Sequence, residues 1–179
     1  MFEEYLQDAH YFFCAADEAA NKSKEREAKR YFRAAVFYTA SAMEAFINYI
    51  GDSFNKAETL SPHERAFLND KQLVFDPLKG IVTDQIRYYS IDDKLKFLIR
   101  KFIPKYDIGK SKAWANFIKF KALRDALVHP RQVDDEIEIK EYREKLQFGM
   151  FGTVTLMNDI SNGIFKRPLR RQVLDLIPE

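Results

Sequence analysis

The chain has 179 residues, of which 46% are apolar and 15% aromatic, and its formal net charge is +2. This length suffices for one domain with a sizeable core, and this composition excludes an intrinsically disordered chain. Six glycines and six prolines favour long helices over a β-sandwich with many turns. The single cysteine, Cys14, excludes an intramolecular disulfide and any zinc site built from several cysteines.

The first two predicted elements are long helices. One runs from about Phe2 to Ala20, and the second from about Lys24 to Ser53, both with apolar residues at helical spacing. The second is apolar nearly all round, because its polar residues gather into one narrow stripe that also contains Phe37. That stripe consists of Arg30, Arg33, Ser41, Glu44 and Asn48. Polar residues interrupt its apolar part, Ala34–Ile50, so the sequence predicts no membrane span there.

The middle of the chain predicts short elements. Ser61-Pro62-His63-Glu64 has the residues of a capping box and begins a short third helix. Lys71–Pro77 suggests a short extended segment, and a helix over Ile91–Phe102 follows the capping residue Ser90. A basic loop, Lys105–Lys110, then leads to the next helix.

The central helix begins after its N-cap Ser111 and ends near His129, because Pro130 disfavours the helical conformation of the residue before it. Its residues are apolar over a broad arc, and Arg124 falls inside that arc. A guanidinium keeps its charge and is costly to bury unpaired. We therefore expect either a carboxylate partner within the fold, for which Glu44 is a candidate, or a helix end that opens onto a cleft or a subunit interface.

A last long helix is predicted from about Lys140 to Phe165, and its Gly149 and Gly152 would permit close contact with another helix. Together the elements predict an all-α fold, an up-and-down helical bundle with a short extra helix and loops, in a single domain over residues 1–179. The acidic start of the chain lacks a signal-peptide core, so we expect a cytoplasmic protein that does not contact a membrane.

The segment Arg124-Asp125-Ala126-Leu127-Val128-His129 resembles the R-x4-6-H motif of HEPN domains, where the residue after the arginine is most often Asn. The Ala34–Ile50 helix, with Glu44 inside it, also resembles a helix of this family, and the resemblance spans roughly Arg30 to Leu156. It implies a HEPN-like bundle that forms a homodimer, in which two protomers bring their motifs together. Activity as a metal-independent endoribonuclease of toxin or antiviral-defence type is implied too, with RNA as substrate and an antitoxin or defence-system protein as partner.

These residue types suit that chemistry. His129 would act as acid or base near neutral pH, and Arg124 would hold the phosphate oxygens. Asp125 would orient either of them, and Glu44 would support Arg124. No cofactor or metal is expected, since the three histidines show no ligand spacing. The alternative is a non-catalytic HEPN-like binding or assembly module.

The charge of the chain is unevenly distributed. From Asp92 to Arg131 there are 11 lysines and arginines against four aspartates, a local balance of +7 that leaves −5 for the remainder. A basic region around the motif suits a phosphate-bearing ligand, and a solvated helix face is the alternative interpretation.

Overall fold

The computed structural model describes residues 1–55, 58–129 and 137–177. Helices make up 71% of the chain, which confirms the prediction of a mostly helical protein. The helices are α1 (Phe2–Asn21), α2 (Glu25–Ser53), α3 (Pro62–Leu68), α4 (Ile91–Phe102), α5 (Lys112–Val128), α6 (Ile139–Phe165) and α7 (Arg171–Leu174). Two strands, β1 (Lys71–Asp76) and β2 (Ile81–Ile86), form an antiparallel hairpin. The predicted stop at Pro130 lies outside the described residues.

The chain divides into two compact units. The first contains Met1–Met43 and Lys105–Glu179, and the second contains Glu44–Pro104. Helix α2 contributes its first part to one unit and its last part to the other. The prediction of a single domain over residues 1–179 stays a prediction.

In the first unit, α1 and the first part of α2 pack against each other through aromatic rings. Tyr5 and Phe12 both contact Tyr38, at centroid distances of 6.2 and 5.4 Å, and Phe12 also contacts Tyr31, at 6.2 Å. Residue numbers rise along α1 as they fall along α2, so the two helices are antiparallel. The ring of Phe32, on the buried side of α2, stacks on Tyr142 of α6 at 6.0 Å.

Helix α6 packs closely on α5 because two of its residues lack side chains. A Cβ atom on Gly149 would lie 2.4 Å from Phe120 Cδ2, and one on Gly152 would lie 2.7 Å from the Ala113 carbonyl oxygen. The contacts run from Phe120 to Ala113 as α6 advances, so α5 and α6 are also antiparallel. This confirms that both glycines permit a close helix contact.

The carboxy-terminal segment packs on the first unit. Val173 of α7 and the preceding Leu169 are buried, and α7 contacts α1 and α6. His10 on α1 is 2.9 Å from the Leu176 carbonyl oxygen through its Nδ1. No sequence pattern indicated this packing, because α7 has only four residues.

The second unit contains the hairpin, α3 and α4. Ser61 accepts from the Glu64 amide and Glu64 accepts from the Ser61 amide, so the predicted capping box at α3 is confirmed. The predicted extended segment corresponds to β1. Strand β2 was not predicted, because five of its six residues are exposed and its sequence lacks apolar alternation. Gly80, at φ +64°, provides the left-handed turn residue between the strands.

Asp70 connects the hairpin to α4. Its Oδ1 accepts the Tyr89 amide at 2.9 Å and its Oδ2 accepts Lys94 Nζ at 2.6 Å, while the Lys94 side chain is only 5% exposed. A buried ammonium requires such a partner. Within the described residues, no helix is both long and apolar enough to cross a membrane.

Candidate functional site

Helix α5 positions the Arg124–His129 motif. Its N-cap Ser111 accepts the Trp114 amide at 3.1 Å, as predicted from the sequence. The buried residues Ala113, Phe117, Phe120 and Leu123 form the side of the helix that faces α6. This contact fixes the helix along most of its length and so determines where its last turn projects.

Arg124 lies just beyond the last buried residue of α5. Its side chain is 34% exposed, and its Nη1 donates to Asp125 Oδ1 at 3.0 Å. The sequence placed Arg124 within the apolar arc, and the structure shows it half-buried, because burial ends at Leu123 and residues 124–129 are all partly or fully exposed. Arg124 therefore has a carboxylate partner, one that lies on the same helix and is itself 44% exposed.

His129 is the C-cap residue of α5 and is exposed. Its backbone amide donates to the Asp125 carbonyl oxygen at 3.0 Å, which extends the helical hydrogen-bond pattern by one residue. Its imidazole makes no hydrogen bond to any of the residues described by the structure. The ring is thus accessible to solvent from the end of the helix that also carries Arg124.

The solvent-facing side of α5 is small and apolar. Ala115 and Ala122 are exposed, Ile118 is 37% exposed, and these three residues share one side of the helix with His129. Lys119 borders them. An exposed side with so few large or charged residues is unusual for a surface helix, whose outer side is normally polar.

Glu44 lies in the second unit, where it is exposed. There it lines a cavity of about 230 Å³ with Asn48, Tyr88, Asp70 and Lys94. The predicted contact between Glu44 and Arg124 stays a prediction. The other members of this cavity come from the hairpin end and α4, and no sequence pattern linked them.

A second cavity opens at the start of α5, about 450 Å³ in volume, and we call it the lysine cavity. The residues that define it are Lys105, Tyr106, Lys110, Lys112, Thr155 and Asp159. The sequence showed the basic loop but not Asp159, which comes from α6, some fifty positions along the chain.

A hydrogen-bond chain crosses the lysine cavity. The Tyr106 hydroxyl lies 2.5 Å from Ser111 Oγ and also bonds to the Asp159 carboxylate. Burial raises the pKa of Asp159, and the bond from Tyr106 opposes that rise. Burial also raises the pKa of Tyr106.

No group of three or more His, Cys, Asp or Glu side chains that could hold a metal ion occurs in the described ranges. Comparison with models of protein families, with curated proteins and with solved structures finds no match to this chain.

Proposed function

We propose that this chain is a metal-independent endoribonuclease with a HEPN-like helical bundle, of toxin or antiviral-defence type. The observation that carries the proposal is the presence of Arg124 and His129 at one end of α5, where both side chains reach solvent. One group is a permanent cation that binds phosphate, and the other exchanges protons near neutral pH.

The proposed reaction uses the ribose 2′-hydroxyl of RNA as the nucleophile. A bond forms between the 2′-oxygen and phosphorus while the bond from phosphorus to the 5′-oxygen breaks. One His129 takes the 2′-hydroxyl proton, and a second protonates the departing 5′-oxygen. Arg124 stabilises the negative charge on the phosphorus oxygens. The products are a 2′,3′-cyclic phosphate and a 5′-hydroxyl.

This scheme needs two histidines, and each chain offers one such residue, so we propose a homodimer with a composite site. The small apolar side of α5 supports it, because Ala115, Ile118 and Ala122 would pack against a second copy and bring two His129 residues near one two-fold axis. An antitoxin or defence-system protein would be the partner that controls such an enzyme.

The test is cleavage of RNA of mixed sequence by the wild type and two variants. We expect His129→Ala to lower the rate by about 10²–10⁴-fold, because it removes a proton-transfer group. Arg124→Ala should also abolish cleavage by removing phosphate binding and charge stabilisation. His63→Ala is the matched control, since His63 lies in the second unit, in the first turn of α3, and should leave the rate unchanged. Cleavage that survives in His129→Ala would contradict the proposed mechanism.

The second candidate function is a non-catalytic HEPN-like binding or assembly module. The ion pair between Arg124 and Asp125 favours it, because the guanidinium already has an anionic partner. Absence of cleavage by the wild type across varied RNAs would support this alternative.

A further inference from the structure

The lysine cavity contains cations that lack anionic partners. Lys105 and Lys112 form no ion pair with any described residue, and Lys110 pairs only loosely with Asp107, at 3.5 Å. Many other lysines of the chain are neutralised: Lys71 lies 2.5 Å from Asp84, and Lys145 lies 2.6 Å from Glu141. Unpaired ammonium groups around a concave surface produce a positive potential that attracts anions.

The charge extends from this cavity along α5. Residues 105–121 contain five lysines and one aspartate, a balance of +4. Lys112 and Lys119 lie two turns apart on nearly the same side of the helix and are both exposed. The positive surface therefore runs from the lysine cavity towards the end of α5 that carries Arg124 and His129.

The other groups at the lysine cavity also suit a nucleic-acid strand. Hydroxyls of Ser111 and Thr155 line it and would donate to phosphate or sugar oxygens. The rings of Tyr106 and of Phe151, which is 40% exposed, offer surfaces for base stacking. Asp159 is the one unfavourable group for an anion there, apart from Asp107, which Lys110 partly neutralises.

We propose that the lysine cavity is a second binding site for the RNA strand, which holds its phosphates away from the bond that is cut. This inference rests on the proposed function. The 17 residues of α5 separate the two sites by about 25 Å along the helix axis. A strand that occupies both would follow Lys112 and Lys119 along α5 and present its scissile phosphate to Arg124.

The test measures RNA affinity in a background that cannot cleave. Labelled single-stranded RNA of mixed sequence is titrated with His129→Ala protein at several salt concentrations, with fluorescence anisotropy as the readout. Addition of Lys105→Ala and Lys112→Ala should weaken binding roughly ten-fold near physiological salt and lower the slope of log affinity against log salt by about 1.4, or about 0.7 per phosphate contact. Lys22→Ala with Lys24→Ala is the matched control, because it removes two exposed charges from another part of the first unit.

A variant of opposite sign excludes damage to the fold as the explanation. Asp159→Asn removes a negative charge from the lysine cavity and retains an acceptor for Tyr106, so it should tighten RNA binding, whereas a damaged fold would only weaken it. A matching slope for the cavity double variant and the control, or no gain from Asp159→Asn, would overturn the proposal. Absence of RNA binding by the His129→Ala protein would overturn it as well.

Cleavage assays separate this inference from the proposed function. A dinucleotide has one phosphate and cannot reach from one end of α5 to the other. The cavity double variant should therefore cleave a dinucleotide at the wild-type rate and show a raised KM only for long RNA. If long RNA is cut with unchanged KM, the lysine cavity is not a subsite although the enzyme is a ribonuclease. If RNA binds as predicted but is never cut, the binding site stands and the proposed activity fails.

Discussion

Arg124 shares its charge with a neighbour that the proposed reaction does not need. Its Nη1 donates to Asp125 Oδ1 at 3.0 Å, and both side chains are partly exposed, so the pair contributes about 1 kcal/mol or less to folding. The negative charge of Asp125 would also repel an incoming phosphate. We therefore interpret Asp125 as a residue that orients Arg124 at some cost to phosphate binding.

The variant Asp125→Asn tests this interpretation. It keeps an oxygen acceptor for Arg124 and removes the charge, so RNA cleavage should be retained or increased, mainly through a lower KM. Asp8→Asn, on the exposed surface of α1, makes the same change in net charge and should have no effect. A large loss of kcat in Asp125→Asn would instead assign the carboxylate a direct part in proton transfer.

Two buried threonines of the first unit provide a matched pair of stability predictions. Both are fully buried in helices, but Thr39 Oγ1 donates to the Ala35 carbonyl oxygen at 2.8 Å, while Thr153 Oγ1 has no partner among the described residues. Valine has nearly the same shape and no hydroxyl. Thr153→Val should stabilise the fold by about 1 kcal/mol, and Thr39→Val should destabilise it by a similar amount. Urea denaturation measures both, and equal effects of the same sign would contradict the assignment.

At the scale of elements, the close contact of α5 with α6 determines the position of the motif. A Cβ atom on Gly152 would meet backbone atoms of α5, 2.7 Å from the Ala113 oxygen and 2.8 Å from the Phe117 nitrogen. Backbone atoms cannot move aside as a flexible side chain can.

Gly152→Ala should therefore destabilise the protein by about 1–3 kcal/mol through overpacking, although alanine is the better helix former by about 1 kcal/mol. The measurement is the free energy of unfolding in urea. A stabilised Gly152→Ala variant would show that propensity outweighs the contact and that α5 and α6 can separate at little cost.

Most helices could be predicted from the sequence, because their start signals are local. Ser61, Ser90 and Ser111 all cap the helices that they were predicted to begin. What the sequence could not provide depends on residues that lie far apart along the chain. Asp159 meets Tyr106, and Asp70 pairs with Lys94, without a periodic pattern to indicate either contact.

The candidate site was predicted as a motif but not in its exposure. A helical wheel treats every turn as equally covered, so it placed Arg124 in the buried arc between Ala113 and Phe117. In the structure, burial on α5 ends at Leu123. The wheel lacks information on where a helix runs past its neighbours, and this information decided that Arg124 and His129 reach solvent.

At the scale of the whole molecule, the account requires a two-fold dimer through the small apolar side of α5. Ala122 is exposed near its centre, so Ala122→Glu should leave the fold intact, produce a monomer and abolish RNA cleavage. Light scattering at micromolar concentration and circular dichroism measure the first two effects. Gln7→Glu adds the same charge to the exposed surface of α1 and should leave the dimer intact. A wild-type protein that is monomeric yet active would contradict the composite site.

The central claim is that Arg124 and His129 cleave RNA through its own 2′-hydroxyl, and the chemistry of the product ends tests it most directly. Purified wild-type protein is incubated in EDTA with an RNA of defined sequence and with the same RNA carrying 2′-deoxyribose at the cleaved position. The account predicts 2′,3′-cyclic phosphate ends from the first RNA and no cleavage at that position of the second, with His129→Ala inactive on both. Cleavage of the deoxy-substituted position, 5′-phosphate products, or a requirement for Mg²⁺ would contradict it.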